Sequence, residues 1–215
     1  MDKETYKKKF TEDDAVGWDC IDQQLLKIYP EQEPQHYAAK LPYELGGDDP
    51  LHGVSFYISR EQEPHFHFVS YGFSELFYDE EAAGGAFSKF GFELTFRLKM
   101  EDEAEDVGWV YNLMQNIARY VFESGKWFEP FHFMPANGPI KIGADTEITA
   151  LAFVVDPELG QINTPHGEVT FLQMLGLTST EYEQLKQNPK TTETEKLVEK
   201  LRKDNPLLIT DLARK

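Results

Sequence analysis

Apolar and polar residues alternate without a break between positions 92 and 99. The apolar members are Phe92, Leu94, Phe96 and Leu98, and the polar members are Glu93, Thr95, Arg97 and Lys99. Because successive side chains of a strand point to opposite faces of a sheet, this pattern predicts a β-strand. An antiparallel strand with one face on the core and one face in water is typical of such alternation.

Four further segments have the composition of strands. They are residues 54–59, 65–71, 147–155 and 169–175, which are rich in β-branched and aromatic side chains. Turn-rich passages, at residues 45–50, 79–89 and 157–167, separate them. A last apolar segment, residues 207–212, follows Pro206.

Helical spacing of apolar residues marks two longer segments. In residues 11–29 the apolar positions are Trp18, Ile21, Leu25 and Ile28, and Thr11 and Asp14 have capping-box spacing at the start. In residues 109–125 they are Trp109, Leu113, Met114, Ile117, Tyr120 and Val121, with Gly125 as a stop. Residues 181–186 and 194–203 predict two shorter, charged helices.

These elements mix strands and helices without a regular strand–helix–strand alternation, which favours an α+β fold over a doubly wound one. We expect a mixed, largely antiparallel sheet with packed helices, in a single domain that covers residues 1–215. Residues 1–10 are polar and charged and are a candidate for disorder. Residues 187–206 are also highly charged and are predicted to be helical or loosely packed.

Composition narrows the class of protein. The longest apolar run, residues 150–155, is far shorter than the roughly 20 residues of a membrane-spanning helix. The first ten residues lack the hydrophobic segment of a secretory signal, so we expect a cytoplasmic protein. The single cysteine, Cys20, can form no internal disulfide and fits a packing position on the first helix.

The chain is strongly acidic. Its 21 lysines and arginines against 38 aspartates and glutamates give a formal net charge of −17. Such a surface repels phosphates and anionic lipid headgroups, so nucleic acid and membranes are not expected partners. Ten of the carboxylates fall between residues 75 and 106, where a basic protein would be attracted.

Candidate chemistry is limited to one histidine pair. His65 and His67 lie two apart in a predicted strand, so both imidazoles face the same side and could reach one metal ion. The same pattern also fits a strand with aromatic residues on one face and hydrogen-bonded imidazoles on the other. No nucleophile elbow, phosphate-binding loop, His-Glu-x-x-His motif or dinucleotide fingerprint is present, and we predict no cofactor.

Several segments together resemble the suppressor of fused domain family. They are residues 29–32, 45–51, 67–76, 90–99, 118–122, 164–173 and 208–212, in the family's order. The resemblance implies a mixed α/β domain that binds protein and does not catalyse a reaction. In animal members a second lobe follows, and a Gli-type peptide is held between the lobes by strand addition. Similarity to the single-lobed bacterial members implies an immunity protein that neutralises a cognate toxin.

Resemblance and charge give the first hypothesis, a non-enzymatic protein-binding module that acts as an immunity protein by covering a basic toxin domain. We expect the contact surface where charge is densest, on two segments that flank the strand at residues 92–99. They are Tyr78, Asp79, Glu80 and Glu81, and Glu101, Asp102 and Glu103. The alternatives are a regulatory adaptor that binds an extended peptide by strand addition, and a metal-dependent enzyme that uses His65 and His67. The oligomeric state is left open.

Overall fold

The computed structural model describes residues 1–41 and 43–215. In this part of the chain the strands are β1 (Gln35–Ala38), β2 (Gly53–Ser59), β3 (His65–Tyr71), β4 (Phe87–Lys99), β5 (Phe133–Pro135), β6 (Ile148–Val155), β7 (Gln161–Thr164) and β8 (Gly167–Thr178). They form one sheet in the order β1-β2-β3-β4-β8-β6-β5, and β7 pairs with β8 outside that order. Every pair is antiparallel except β4 with β8. The predicted mixed, largely antiparallel sheet is confirmed.

Five α-helices accompany the sheet within the described residues. They are α1 (Lys3–Lys9), α2 (Val16–Leu25), α3 (Gly108–Ser124), α4 (Ser179–Gln187) and α5 (Thr191–Arg202), with a 3-10 turn at Tyr43–Leu45. The four predicted helical segments correspond to α2, α3, α4 and α5. Because one sheet runs through the chain, the architecture is a single α+β domain. None of the described helices is long and apolar enough to span a bilayer.

The helix α3 covers one face of the sheet. Its Val110, Met114, Ile117 and Val121 pack in one core with Phe92, Leu94, Phe96 and Leu98 of β4. Gly125 follows the helix with φ +67°, a left-handed conformation that glycine adopts at low cost. The predicted helix and its stop are both confirmed.

The other face of β4 is buried as well, which corrects the prediction of a strand with one side in water. Glu93, Thr95 and Arg97 have no exposed surface. The apolar cluster on this face comes from α2, β2, β3, β8 and the segments that join the elements. Its members are Ile21, Leu25, Tyr29, Tyr57, Val69, Tyr71, Leu76, Leu159 and Phe171. The polar side chains can be buried because each is hydrogen-bonded to residues of other segments: Glu93 to Ser74, Thr95 to Asp156, and Arg97 to Asp156 and His65. The strand also begins at Phe87 rather than Phe92 and runs parallel to β8.

The first long helix is shorter than predicted. Asp14 Oδ2 accepts hydrogen bonds from the Thr11 amide at 2.7 Å and hydroxyl at 3.0 Å, which closes a turn ahead of α2 rather than capping a helix. The amides of Gly17 and Trp18 donate to the Leu76 carbonyl at 2.8 and 3.1 Å. The start of α2 is therefore fixed by a tertiary contact.

Both of the highly charged segments contain a helix. Residues 1–10, the candidate for disorder, contain α1 with Tyr6 fully buried. Residues 187–206 contain α5, whose Val198 packs against β6 and β8. The final apolar segment lies beside β4, where the Thr210 amide donates to the Arg97 carbonyl at 2.7 Å. The short strands β1, β5 and β7 were not predicted, because three or four residues do not establish a period.

Candidate protein-binding surfaces

A buried polar centre occupies the sheet face opposite α3. His67 Nε2 donates to Asp156 Oδ2 at 3.1 Å, and His67 Nδ1 accepts from the Tyr29 hydroxyl at 2.9 Å. Thr95 Oγ1 donates to the same carboxylate oxygen at 2.8 Å, and Arg97 Nη2 lies 3.2 Å from Asp156 Oδ1. Burial and the Arg97 charge disfavour the protonated imidazole and lower the pKa of His67 to about 4.

The second histidine of the predicted pair is bonded in the same way. His65 Nδ1 donates to the Glu63 carbonyl at 2.8 Å, and His65 Nε2 accepts from Arg97 Nη1 at 3.0 Å. Burial lowers the pKa of His65 to about 4. The two rings share a face of β3 as predicted, but every ring nitrogen is hydrogen-bonded and a guanidinium lies beside them. Across the described residues, no three His, Cys, Asp or Glu side chains are placed to hold a metal ion. The geometry favours the structural interpretation of the pair.

A second buried carboxylate fixes the segment that follows β3. Glu93 Oε1 accepts from the Gly72 amide at 3.0 Å, the Ser74 amide at 2.9 Å and the Ser74 hydroxyl at 2.6 Å, and its other oxygen accepts from Ser70 at 2.6 Å. Burial raises the pKa of Glu93 despite these bonds. The bonds position the chain that leads directly to the first predicted contact segment.

That first segment, which we call the acidic loop, consists of Tyr78, Asp79, Glu80 and Glu81. Asp79 Oδ1 accepts from the Glu81 amide at 2.8 Å, which closes a turn. Glu80 pairs with Lys7 at 2.8 Å and Glu81 with Lys3 at 2.5 Å. Two of its three carboxylates are thus already paired with lysines of α1.

The second predicted segment, which we call the second acidic segment, consists of Glu101, Asp102 and Glu103, and all three residues are exposed. Asp102 Oδ1 accepts from the Ala104 amide at 2.9 Å, and Glu103 pairs with Arg60. The two acidic segments lie toward opposite ends of β4, a strand of 13 residues that would be about 40 Å long if straight. They therefore do not form one continuous patch.

An apolar surface that the sequence analysis did not predict lies between α3 and β5. We call it the aromatic cleft: a cavity of about 860 Å³ lined by Tyr120, Trp127, Phe128, Phe133 and Met134, among others. A neighbouring cavity of about 540 Å³ shares Trp127 and Phe128 and reaches Phe87 on β4. Trp127 is 58% exposed and Phe87 64%. The sequence feature that could have indicated this cleft is the aromatic pair Trp127 and Phe128, which follows shortly after the end of the helix at residue 125.

Comparison with known proteins assigns the chain to a family. The family model described as "Suppressor of fused protein (SUFU)" matches residues 47–215, more than half of the chain. The chain belongs to the suppressor of fused family. The Suppressor of fused homolog of Homo sapiens is 35% identical over 213 residues, covering 92% of this chain and 43% of the human protein, and the Mus musculus homolog gives the same values. This suppressor of fused domain thus spans less than half the length of these relatives.

Solved structures have the same fold. A chain of the Sufu–Fu complex crystal structure is 31% identical with a TM-score of 0.84, over 94% of this chain and 91% of that one. Drosophila Suppressor of Fused is 30% identical with a TM-score of 0.84, over 95% and 52%. A putative SUFU homolog from Neisseria gonorrhoeae, 14% identical with a TM-score of 0.62 over 93% and 95%, shares the fold alone.

In this suppressor of fused domain β5 ends the sheet beside the aromatic cleft. The Phe153 amide donates to His132 and the Ala136 amide to Thr149, so even-numbered residues of β5 face β6. Because antiparallel partners alternate, the main-chain groups of Phe133 point away from the sheet. Among the described residues β5 is therefore an edge strand with no partner beyond it, next to an apolar cavity.

Proposed function

We propose that this suppressor of fused domain is a non-enzymatic protein-binding module. The observation that carries the proposal is its similarity, over 94% of its length, to a chain solved in the Sufu–Fu complex. The interior supports the same conclusion. His65 and His67 have no exposed surface and Asp156 has 1%, so this group of histidine and carboxylate side chains is out of reach of a substrate.

We further propose that the partner is a basic toxin domain and that the chain is a cytoplasmic immunity protein that covers it. The net charge of −17 would attract a basic domain over a distance of about a Debye length. The second acidic segment presents three exposed carboxylates at its end of β4. The acidic loop adds a further contact at the other end. Blocking a toxin by covering its surface requires complementary shape and charge, and no catalytic group.

The test measures association of the purified chain with a panel of basic toxin domains, including any that is encoded next to its gene, by stopped-flow fluorescence at low and at physiological salt. The variant Glu101→Lys with Glu103→Lys reverses charge in the second acidic segment. The matched control, Glu195→Lys with Glu199→Lys on α5, makes the same charge change and also breaks one ion pair with an arginine.

We expect the first variant to reduce the association rate about tenfold more than the control at low salt, because steering depends on charge near the contact. Equal rates for the two variants would contradict the placement of the contact. A panel in which no toxin domain binds any of the proteins, and in which each kills cells expressing the chain, would refute the immunity role.

The unpaired edge of β5 favours a second candidate function, a regulatory adaptor that binds an extended peptide by strand addition. Main-chain bonds to Phe133 would supply affinity, and the aromatic cleft would hold an apolar side chain. We expect Trp127→Ala to weaken binding of such a peptide about tenfold, as loss of an aromatic anchor does. The control, Ile142→Ala, removes a side chain that is 97% exposed and lies outside the cleft. Equal peptide affinity for both variants would contradict this function.

A further inference from the structure

The helix α1 is a basic segment that sits on the acidic loop of its own chain. Lys3 lies 2.5 Å from Glu81 and Lys7 lies 2.8 Å from Glu80. Lys8 and Lys9 extend the positive charge of the helix into solvent. Part of the surface proposed for a basic partner is therefore already occupied by a lysine-rich helix.

A single tyrosine anchors α1 in this position. Tyr6 is fully buried, with its ring centroid 5.1 Å from that of Tyr78 and 5.4 Å from that of His166. Its hydroxyl donates to His166 Nε2 at 2.7 Å and accepts from the Asp79 amide at 3.1 Å. His166 Nδ1 in turn lies 3.3 Å from the Glu75 carbonyl, to which it donates. The site that holds Tyr6, which we call the seat of α1, thus consists of the Tyr78 ring, the His166 imidazole as hydrogen-bond acceptor and the Asp79 amide as donor, together with Glu80 and Glu81.

The attachment of α1 is limited in extent. The helix has seven residues, of which Tyr6 is the buried one. Helices of this length do not persist in water without tertiary contacts, so release of Tyr6 would also unfold α1. Its two ion pairs are partly exposed and are screened by salt. The contacts of α1 are therefore few, and none of its residues belongs to a strand of the sheet.

We propose that the seat of α1 is a docking site for a lysine-rich helix of the partner that carries one tyrosine, and that α1 is its internal competitor. The occupant is defined by what the seat already holds: amines at the positions of Lys3 and Lys7 around Tyr6, on one helix face. The proposal rests on the proposed protein-binding function and specifies which part of the partner is recognised. The partner helix can bind only after α1 has left. Its apparent association constant is therefore the intrinsic constant multiplied by the fraction of chains in which α1 is undocked.

The experiment uses the full chain and a fluorescein-labelled peptide with the sequence of residues 2–10, followed by fluorescence anisotropy. The variant Lys3→Glu with Lys7→Glu places like charges against Glu80 and Glu81 and so favours release of α1. The matched control, Lys8→Glu with Lys9→Glu, changes net charge equally on the same helix without altering the two ion pairs.

We expect the peptide to bind the first variant at least about tenfold more tightly than the wild type or the control, because only there is the seat vacated. A peptide with alanine in place of its tyrosine should bind all three proteins equally weakly. Equal affinity of the tyrosine peptide for the two variants, or tight binding of the alanine peptide, would overturn the proposal.

The panel of toxin domains used above separates this inference from the proposed function. If a member that binds the chain binds both charge variants of α1 with the same affinity, the docking site is wrong while protein binding stands. If no member binds any form of the chain, the immunity role fails whatever the peptide does.

Discussion

Acidification from pH 7.5 to pH 5 should destabilise the protein through two buried histidines. His65 and His67 have pKa values of about 4 in the fold, against an ordinary value of 6.5. In this range the unfolded chain therefore binds protons that the folded chain does not. The stability that the neutral rings provide is present above pH 6.5, is lost as pH falls toward 4, and changes no further below that.

The two pKa values set the size of the effect. A shift from 6.5 to 4 makes the free energy of unfolding about 2 kcal/mol smaller per histidine at pH 5 than at pH 7.5, or about 4 kcal/mol for the pair. This is a large part of a typical folding free energy of about 5–15 kcal/mol. Glu93 acts in the opposite sense, since burial raises its pKa and the folded state gains its proton first. The contribution of the two histidines to the pH dependence of the unfolding free energy must therefore be measured with variants that lack one of them.

Urea unfolding at 25 °C, at half-unit steps from pH 5 to pH 7.5, measures the effect. His65→Gln and His67→Gln should each reduce the dependence of the unfolding free energy on pH by about 1 kcal/mol per pH unit near pH 5. His132→Gln, at a partly exposed histidine outside the polar centre, is the control. A pH dependence in both buried-site variants equal to that of the wild type would refute the reasoning.

Three further predictions concern stability at pH 7.5, each read from a urea midpoint. Asp156→Asn removes the buried carboxylate that lies 3.2 Å from Arg97 and accepts from His67 and Thr95, while Arg97 keeps Glu158 at 2.9 Å. It should cost about 3 kcal/mol, and a loss below about 1 kcal/mol would contradict the importance of this carboxylate. Gly17→Ala should cost about 3 kcal/mol, because the added carbon would lie 1.9 Å from the Glu75 carbonyl oxygen, and an unchanged midpoint would disprove that contact. Thr178→Ala removes the capping box of α4 and should cost about 1 kcal/mol, whereas Thr178→Ser should retain the cap.

The periodicity of apolar residues was sufficient to locate a helix or strand where one face of that element packs on the core. The spacing of α3 and the composition of β3 gave their positions because those patterns reflect burial directly. The alternation in β4 gave a strand but not its surroundings. Arg97 is buried because it meets Asp156, which lies 59 positions away in the sequence. A local pattern carries no information about such a partner, so the polar face of β4 is predicted to be exposed to water although it is buried.

The candidate site shows the same limit. The density of carboxylates identified the acidic loop, but Lys3 and Glu81 are separated by 78 positions, so their pairing could not be predicted. The histidine spacing correctly placed both rings on one face of β3. The bonds that occupy the four ring nitrogens include those to Tyr29, Arg97 and Asp156, which are distant in the sequence and become neighbours only in the folded chain.

The buried polar groups also explain why the proposed contacts lie on loops of fixed position. Glu93 holds the amides of Gly72 and Ser74, and the chain continues from there to the acidic loop. At the opposite end of β4, the Lys99 amide donates to the Thr210 carbonyl at 2.9 Å, just ahead of the second acidic segment. Loops held by a rigid sheet lose little entropy on binding, so a larger share of their electrostatic attraction remains as affinity. On this argument the interior chemistry serves recognition, because it fixes the geometry of the charges that a partner would meet.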